Sequence, residues 1–177
     1  MTSLQARNIA QRVRTISVVI FSLLTFMPAA LRAEGEGWIK ASDNKTYGQA
    51  LVTEIMQGHP ALLTAGLHAV APGKKVQSIV ASTLDRIGKE DDEGDLLVGE
   101  KGATVLTPAL SDPPRLGILL PLLDASGKRI GALALAYKYH GVAEEAKFYN
   151  ESVAIRDAIA KKIPNLSILF KPAGTLP

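Results

Sequence analysis

The apolar positions change period along the chain, and each change marks an element. Tyr47, Ala50, Leu51 and Ile55 recur at helical spacing, which predicts an amphipathic helix starting at Thr46. Gly58 and Pro60 stop it, because glycine readily ends a helix and proline cannot continue one. Leu62 to Val70 then reads as a strand, and Lys75 to Ser82 as its hairpin partner across the turn "APGK". Strict alternation in the second strand puts Gln77, Ile79 and Ala81 on one face, with Val76, Ser78, Val80 and Ser82 on the other. The polar run "LDRIGKEDDEGDLLVGEKG" interrupts the strands and predicts a short helix near Asp95 to Glu100. A third strand is expected at Ala103 to Leu110. "RLGILLPLL" and "KRIGALALAYKY" read as strands four and five, joined at "DASG", where Asp124 and Gly127 suit a short hairpin loop. Pro121 falls inside strand four; it cannot donate to a ladder, so it predicts an edge or a bulge there.

Helical spacing returns over Val142 to Ile163, with Val142, Ala146, Tyr149, Val153 and Ile163, and Ile159 beside them, as the expected buried stripe. Pro164 ends the helix, and the apolar segment Leu166 to Phe170 is expected to pack back on the fold. The order is helix, two strands, helical insert, three strands, helix. Short turns between adjacent strands make this an α+β protein, a five-stranded antiparallel sheet with helices on it. On strand five, Leu133, Leu135, Tyr137 and Tyr139 share one face, while Ile130, Ala132, Ala134, Ala136 and Lys138 share the other. The second face is small, so either a helix packs close to it or a ligand has room there; close helix packing is the favoured reading.

The first 33 residues have a different character. Arg7, Arg12 and Arg14 precede an apolar stretch from Ile16 to Met27, followed by Pro28 and small residues, the layout of a secretory signal peptide. That stretch is short for a membrane span, which needs about 20 residues, although an uncleaved anchor helix stays open. Residues 1–33 are therefore expected to be a cleaved signal, 34–45 a flexible leader, 46–172 the domain and 173–177 a tail, in a periplasmic or secreted protein. The whole chain carries a net charge of +3, but residues 1–33 hold four arginines and no acid, leaving 16 basic against 17 acidic residues. A near-neutral domain with only 5% aromatic residues argues against a nucleic-acid partner. There is no cysteine, so stability rests on an ordinary core rather than on disulfides.

Candidate chemistry is sparse. The three histidines are His59, His68 and His140. His68 is the unusual one, because an imidazole inside an apolar strand needs a partner; a core histidine satisfied by backbone or a carboxylate is favoured over a ligand contact. The acidic run Glu90 to Asp95 lacks the alternating pattern of a calcium loop and reads as solvated, so no metal or other cofactor is expected. No nucleophile elbow, zinc-protease motif or phosphate loop is present, which argues against an enzyme. Arg86 and Lys89 are the best candidates for holding an anion.

"LHAVAPG" with its paired strand, "RIGKEDDEGDLLV", and "LLPLLDASGKRIGALALAYKY" before a final helix together resemble the single Cache (or PDC) domains, PAS-like extracytoplasmic sensors. The resemblance spans about Thr46 to Pro172. It implies N- and C-terminal helices, a helical insert and a small-molecule pocket, often for an amino acid or carboxylate. It points to His68, Arg86, Lys89, Lys101 and Tyr137 as ligand contacts. Such domains usually feed a kinase, cyclase or chemoreceptor module, so an exported sensory or accessory role through a membrane receptor or kinase is implied. The alternative is an interaction module with the same fold and no pocket, including a homodimer through the helices.

Overall fold

The computed structural model describes residues 37–110 and 112–174. The expected signal peptide lies outside these residues. Helix α1 (Tyr47–Gly58) leads into strand β1 (Leu62–Val70), which turns back as β2 (Gln77–Ser82). Helix α2 (Glu93–Lys101) precedes β3 (Val105–Ala109), β4 (Arg115–Leu123) and β5 (Arg129–Lys138), and α3 (Glu145–Ala160) follows. All neighbouring strands are antiparallel and the sheet order is β2-β1-β5-β4-β3. The expected α+β architecture is therefore present, and no helix among the described residues is long and apolar enough to cross a membrane.

Both faces of the sheet are covered. Leu67, Leu133 and Leu120 lie side by side across β1, β5 and β4, as do Ala65, Leu135 and Ile118. Leu51, Val52 and Ile55 of α1 and Phe148, Ile155 and Ile159 of α3 complete that core. Each such side chain contributes about 1.5–3 kcal/mol on leaving water. The other face carries the small residues Gly66, Ala134 and Gly117, and α2 packs across β5, β4 and β1 there. The alanine face thus receives a helix.

Several expectations need correction. The stripe of α3 is Phe148, Ser152, Ile155 and Ile159, not the one built on Val142, Ala146 and Tyr149; Val142 is 75% exposed. The reading missed it because the true stripe contains a serine. Ser152 is tolerated because its hydroxyl donates to the Phe148 carbonyl at 2.8 Å and meets the Tyr137 hydroxyl at 3.0 Å. Alternation in β2 is also broken. The register slips between Leu67 and His68, so Leu67 faces Ala81 while His68 faces Ile79. This bulge places Ala81 on the α1 side and Gln77 and Ile79 on the α2 side, because an inserted residue reverses the parity of everything beyond it.

The segment 37–45 is bound to the domain rather than loose. Ile39 bridges Ile87, and the Asn44 side chain donates to the Val80 carbonyl at 3.0 Å. Residues 87–91 run beside β2, with Ile79 donating to the Lys89 carbonyl and Gly88 to the Ile79 carbonyl, so the β2 edge is covered rather than open. Pro121 pairs with Ala132 of β5 but sits beyond the last β3 partner, which faces Leu119, so β4 is an edge there, where proline is tolerated. The segment Leu166–Phe170 packs back through buried Leu169.

Candidate functional site

Two features outside the core have the makings of a site. The first is a cleft of about 450 Å³ on the β2 side, between the 71–76 turn, the 37–46 segment and Phe170. Its walls include Ile39, Val76, Val80, Ile87 and Phe170, with Lys74, Lys75 and Glu90 supplying charge. Gly73 has φ +76, a left-handed value that glycine adopts without strain. The turn therefore closes with consecutive lysines just past it. An apolar wall with a few charged groups converging on it is the ordinary composition of a small-molecule site.

The second feature is a polar cluster under α2. The His68 Nδ1 lies 2.8 Å from Asp91 Oδ1 and 3.8 Å from Asp95 Oδ2. Gln77 Nε2 donates to Asp91 Oδ2 at 2.6 Å, and the Asp91 N–H donates to the Gln77 carbonyl at 3.1 Å. The local sequence explains the geometry. The β2 bulge turns Gln77 to the same face as His68. Asp92 caps α2 by accepting from the Gly94 and Asp95 N–H groups, and this starts the helix so that Asp95 stands one turn from Asp91. Gly99 lets α2 sit against Gln77, since a Cβ there would land on the Gln77 amide. Burial holds the Asp95 carboxyl above its ordinary pKa of 3.8; His68 opposes the rise, and Asp91 and Asp92 add to it.

The five residues singled out from sequence do not converge. His68 belongs to the cluster under α2, and its partner is a carboxylate, the favoured reading of that residue. Tyr137 is on the opposite face of the sheet, stacked on Phe148 with centroids 4.4 Å apart. Burial pushes its hydroxyl pKa up to about 12, with the Ser152 bond opposing and Glu151 adding to the shift. Arg86 is exposed and Lys89 half-buried in the turn that folds 87–91 onto β2. Gly88, φ +96, makes that turn. Lys101 is exposed at the C-terminus of α2, where a cation suits the helix dipole. A pocket combining His68, the "RIGK" loop and Tyr137 is not formed.

Sequence reasoning missed Gln77, Lys74 and Lys75, and its reading of the Glu90 to Asp95 run as solvated needs correction, because the Asp91 side chain is 0% exposed and held between His68 and Gln77. Asp91 and Asp95 carried a usable signal, an i, i+4 pair around a helix cap. Gln77 carried less, because its face depends on a bulge that leaves no trace in the pattern.

No family model and no curated protein matches the chain. Among solved structures, the GAF domain of A. aeolicus nlh2 in an inactive state is similar with a TM-score of 0.51 at 12% identity, covering 68% of this chain and 86% of that one. The GAF domain of a two-component sensor histidine kinase from Bacillus halodurans gives 0.46 at 13% identity, over 70% and 97%. The first of these shows the fold to be of the GAF, PAS-like type. The similar structures are GAF domains, and the narrower Cache membership is not among what they show.

Proposed function

We propose that this chain is an exported small-molecule-binding domain of the PAS-like class, and that it holds a small amino acid or carboxylate in the cleft beside β2. The observation that carries the reading is the cleft itself, where Lys74 and Lys75 share one concavity with Glu90 and an apolar wall. Two ammonium groups suit the carboxylate of such a ligand, Glu90 suits an α-ammonium, and Val76, Val80 and Phe170 suit its hydrocarbon part. Export rests on the basic and apolar layout of the first 33 residues. An exported binding domain acts by presenting its occupied state to a partner, and a membrane receptor or kinase is the class that the PAS-like fold favours. The Cache resemblance and the GAF-type likeness support the same sheet and the same sensory role.

The test is a thermal-shift panel of amino acids and short carboxylates on the full chain. A ligand at a hundredfold over its dissociation constant adds about 2.7 kcal/mol. At least one member should raise Tm, and Lys74→Ala with Lys75→Ala should remove that rise while leaving the unliganded Tm unchanged. A flat response across the panel, or a rise indifferent to both lysines, overturns the proposal.

A further inference from the structure

We propose that His68, Asp91 and Asp95 form a binding site for one divalent first-row transition ion, of which Zn²⁺ is the type. The three donors come from three separate parts of the chain: β1, the segment beside β2, and the first turn of α2. Each offers one ligand atom, and these atoms all lie within 4.8 Å of one another. An ion bound at about 2.0–2.2 Å from nitrogen and oxygen donors needs donors about 3–3.5 Å apart. The His68 separations of 2.8 and 3.8 Å bracket that range, so the site closes on an ion by modest side-chain movements.

Burial distinguishes this triad from surface acids. His68 is 5% exposed, and the side chains of Asp91 and Asp95 are 0% and 17% exposed. Among the described residues, no lysine or arginine pairs with either carboxylate. Enclosed carboxylates need a positive partner, and a divalent ion held by all three side chains serves both. Gln77 already provides the outer support typical of a metal ligand, donating to the Asp91 oxygen that faces away from His68. Mixed imidazole and carboxylate donors favour Zn²⁺, Mn²⁺ or Fe²⁺ over Ca²⁺ and Mg²⁺. Three protein donors leave at least one position for water or a small anion. The ion would tie α2 to the sheet, and its binding is read separately from that of any cleft ligand, because none of His68, Asp91 and Asp95 lines the cleft.

The experiment uses the full chain expressed without a histidine tag, stripped with a chelator and titrated with Zn²⁺ by calorimetry, with Co²⁺ absorption as a second readout. One equivalent of Zn²⁺ should bind and raise Tm, and Co²⁺ should show the d–d bands of a site with nitrogen and oxygen donors. Asp95→Asn, the least enclosed ligand, should fold and lose more than tenfold in affinity. Gln77→Met should lose about 10–100-fold through the disordered Asp91. Glu93→Gln, an exposed acid in the first turn of α2 outside the triad, should bind as the parent does. Uptake of no ion by the parent, or equal uptake by parent and Asp95→Asn, overturns the proposal.

Discussion

Tyr137 and Ser152 offer a sharp test of the reading that Tyr137 belongs to the core. Both residues are 0% exposed. The Ser152 hydroxyl gives its proton to the Phe148 carbonyl, so the Tyr137 hydroxyl is the donor in the 3.0 Å contact between them. Tyr137→Phe deletes one neutral hydrogen bond and leaves no donor stranded, at a cost of about 1 kcal/mol. Ser152→Ala strands the buried tyrosine O–H, which costs about 2 kcal/mol. The double variant strands nothing, and its cost should return to about 1 kcal/mol rather than the sum, a coupling near 2 kcal/mol. Urea unfolding of the four proteins measures this, provided m is unchanged. Strict additivity would refute the assigned donor and the sealed environment. Tyr137→Phe should also leave ligand and metal binding unaltered, and a binding defect would return Tyr137 to the site.

Two further perturbations probe the layers around the sites. Alanine normally stabilises a helix by about 0.5–1 kcal/mol over glycine, yet Gly99→Ala should destabilise by about 1–3 kcal/mol because its Cβ displaces Gln77, and it should weaken Zn²⁺ binding; Gly58→Ala, with nothing within 4 Å of its Cβ, is the control, and equal effects of the two on Tm would contradict the seating of α2. The Asp124 carboxylate accepts from the Ser126 hydroxyl and from the Ser126 and Lys128 N–H groups, and the hydroxyl bond is the chief cause holding its pKa below 3.8. Its contribution is therefore complete above pH 3.8 and is lost as pH falls through the lower folded value, so the Tm gap between the parent and Asp124→Ala should close in that acid range, and a constant gap down to full protonation would exclude the charged cap.

The architecture was legible because every element has its own period. The limits Leu62 and Val70 of β1 follow from an apolar run between Pro60 and the "APG" turn, and the two faces of β5 follow from alternation whose pairing is regular on both sides over Ala132–Ala136. What failed depended on pairs. Ser152 breaks the apolar stripe of α3 because a tyrosine from β5 satisfies it. The slip at Leu67/His68 is a relation between strands, invisible in either strand alone. Nothing in either residue's own neighbourhood in the sequence places the fully buried Tyr137 and the His68 imidazole on opposite faces of the sheet. The polar cluster and the cleft both depend on 87–91 returning beside β2, a pairing made by the Gly88 turn within a run that otherwise reads as solvated loop.

The central claim is that a small anion occupies the cleft beside β2. Amide chemical-shift mapping of ¹⁵N-labelled protein during titration with the strongest thermal-shift hit tests it most directly. The account predicts saturable shifts concentrated at Lys74 to Val80, Ile87 to Glu90 and Phe170, with Tyr137 and Lys101 unmoved. Shifts centred on α3, or spread over the surface without saturation, would contradict it.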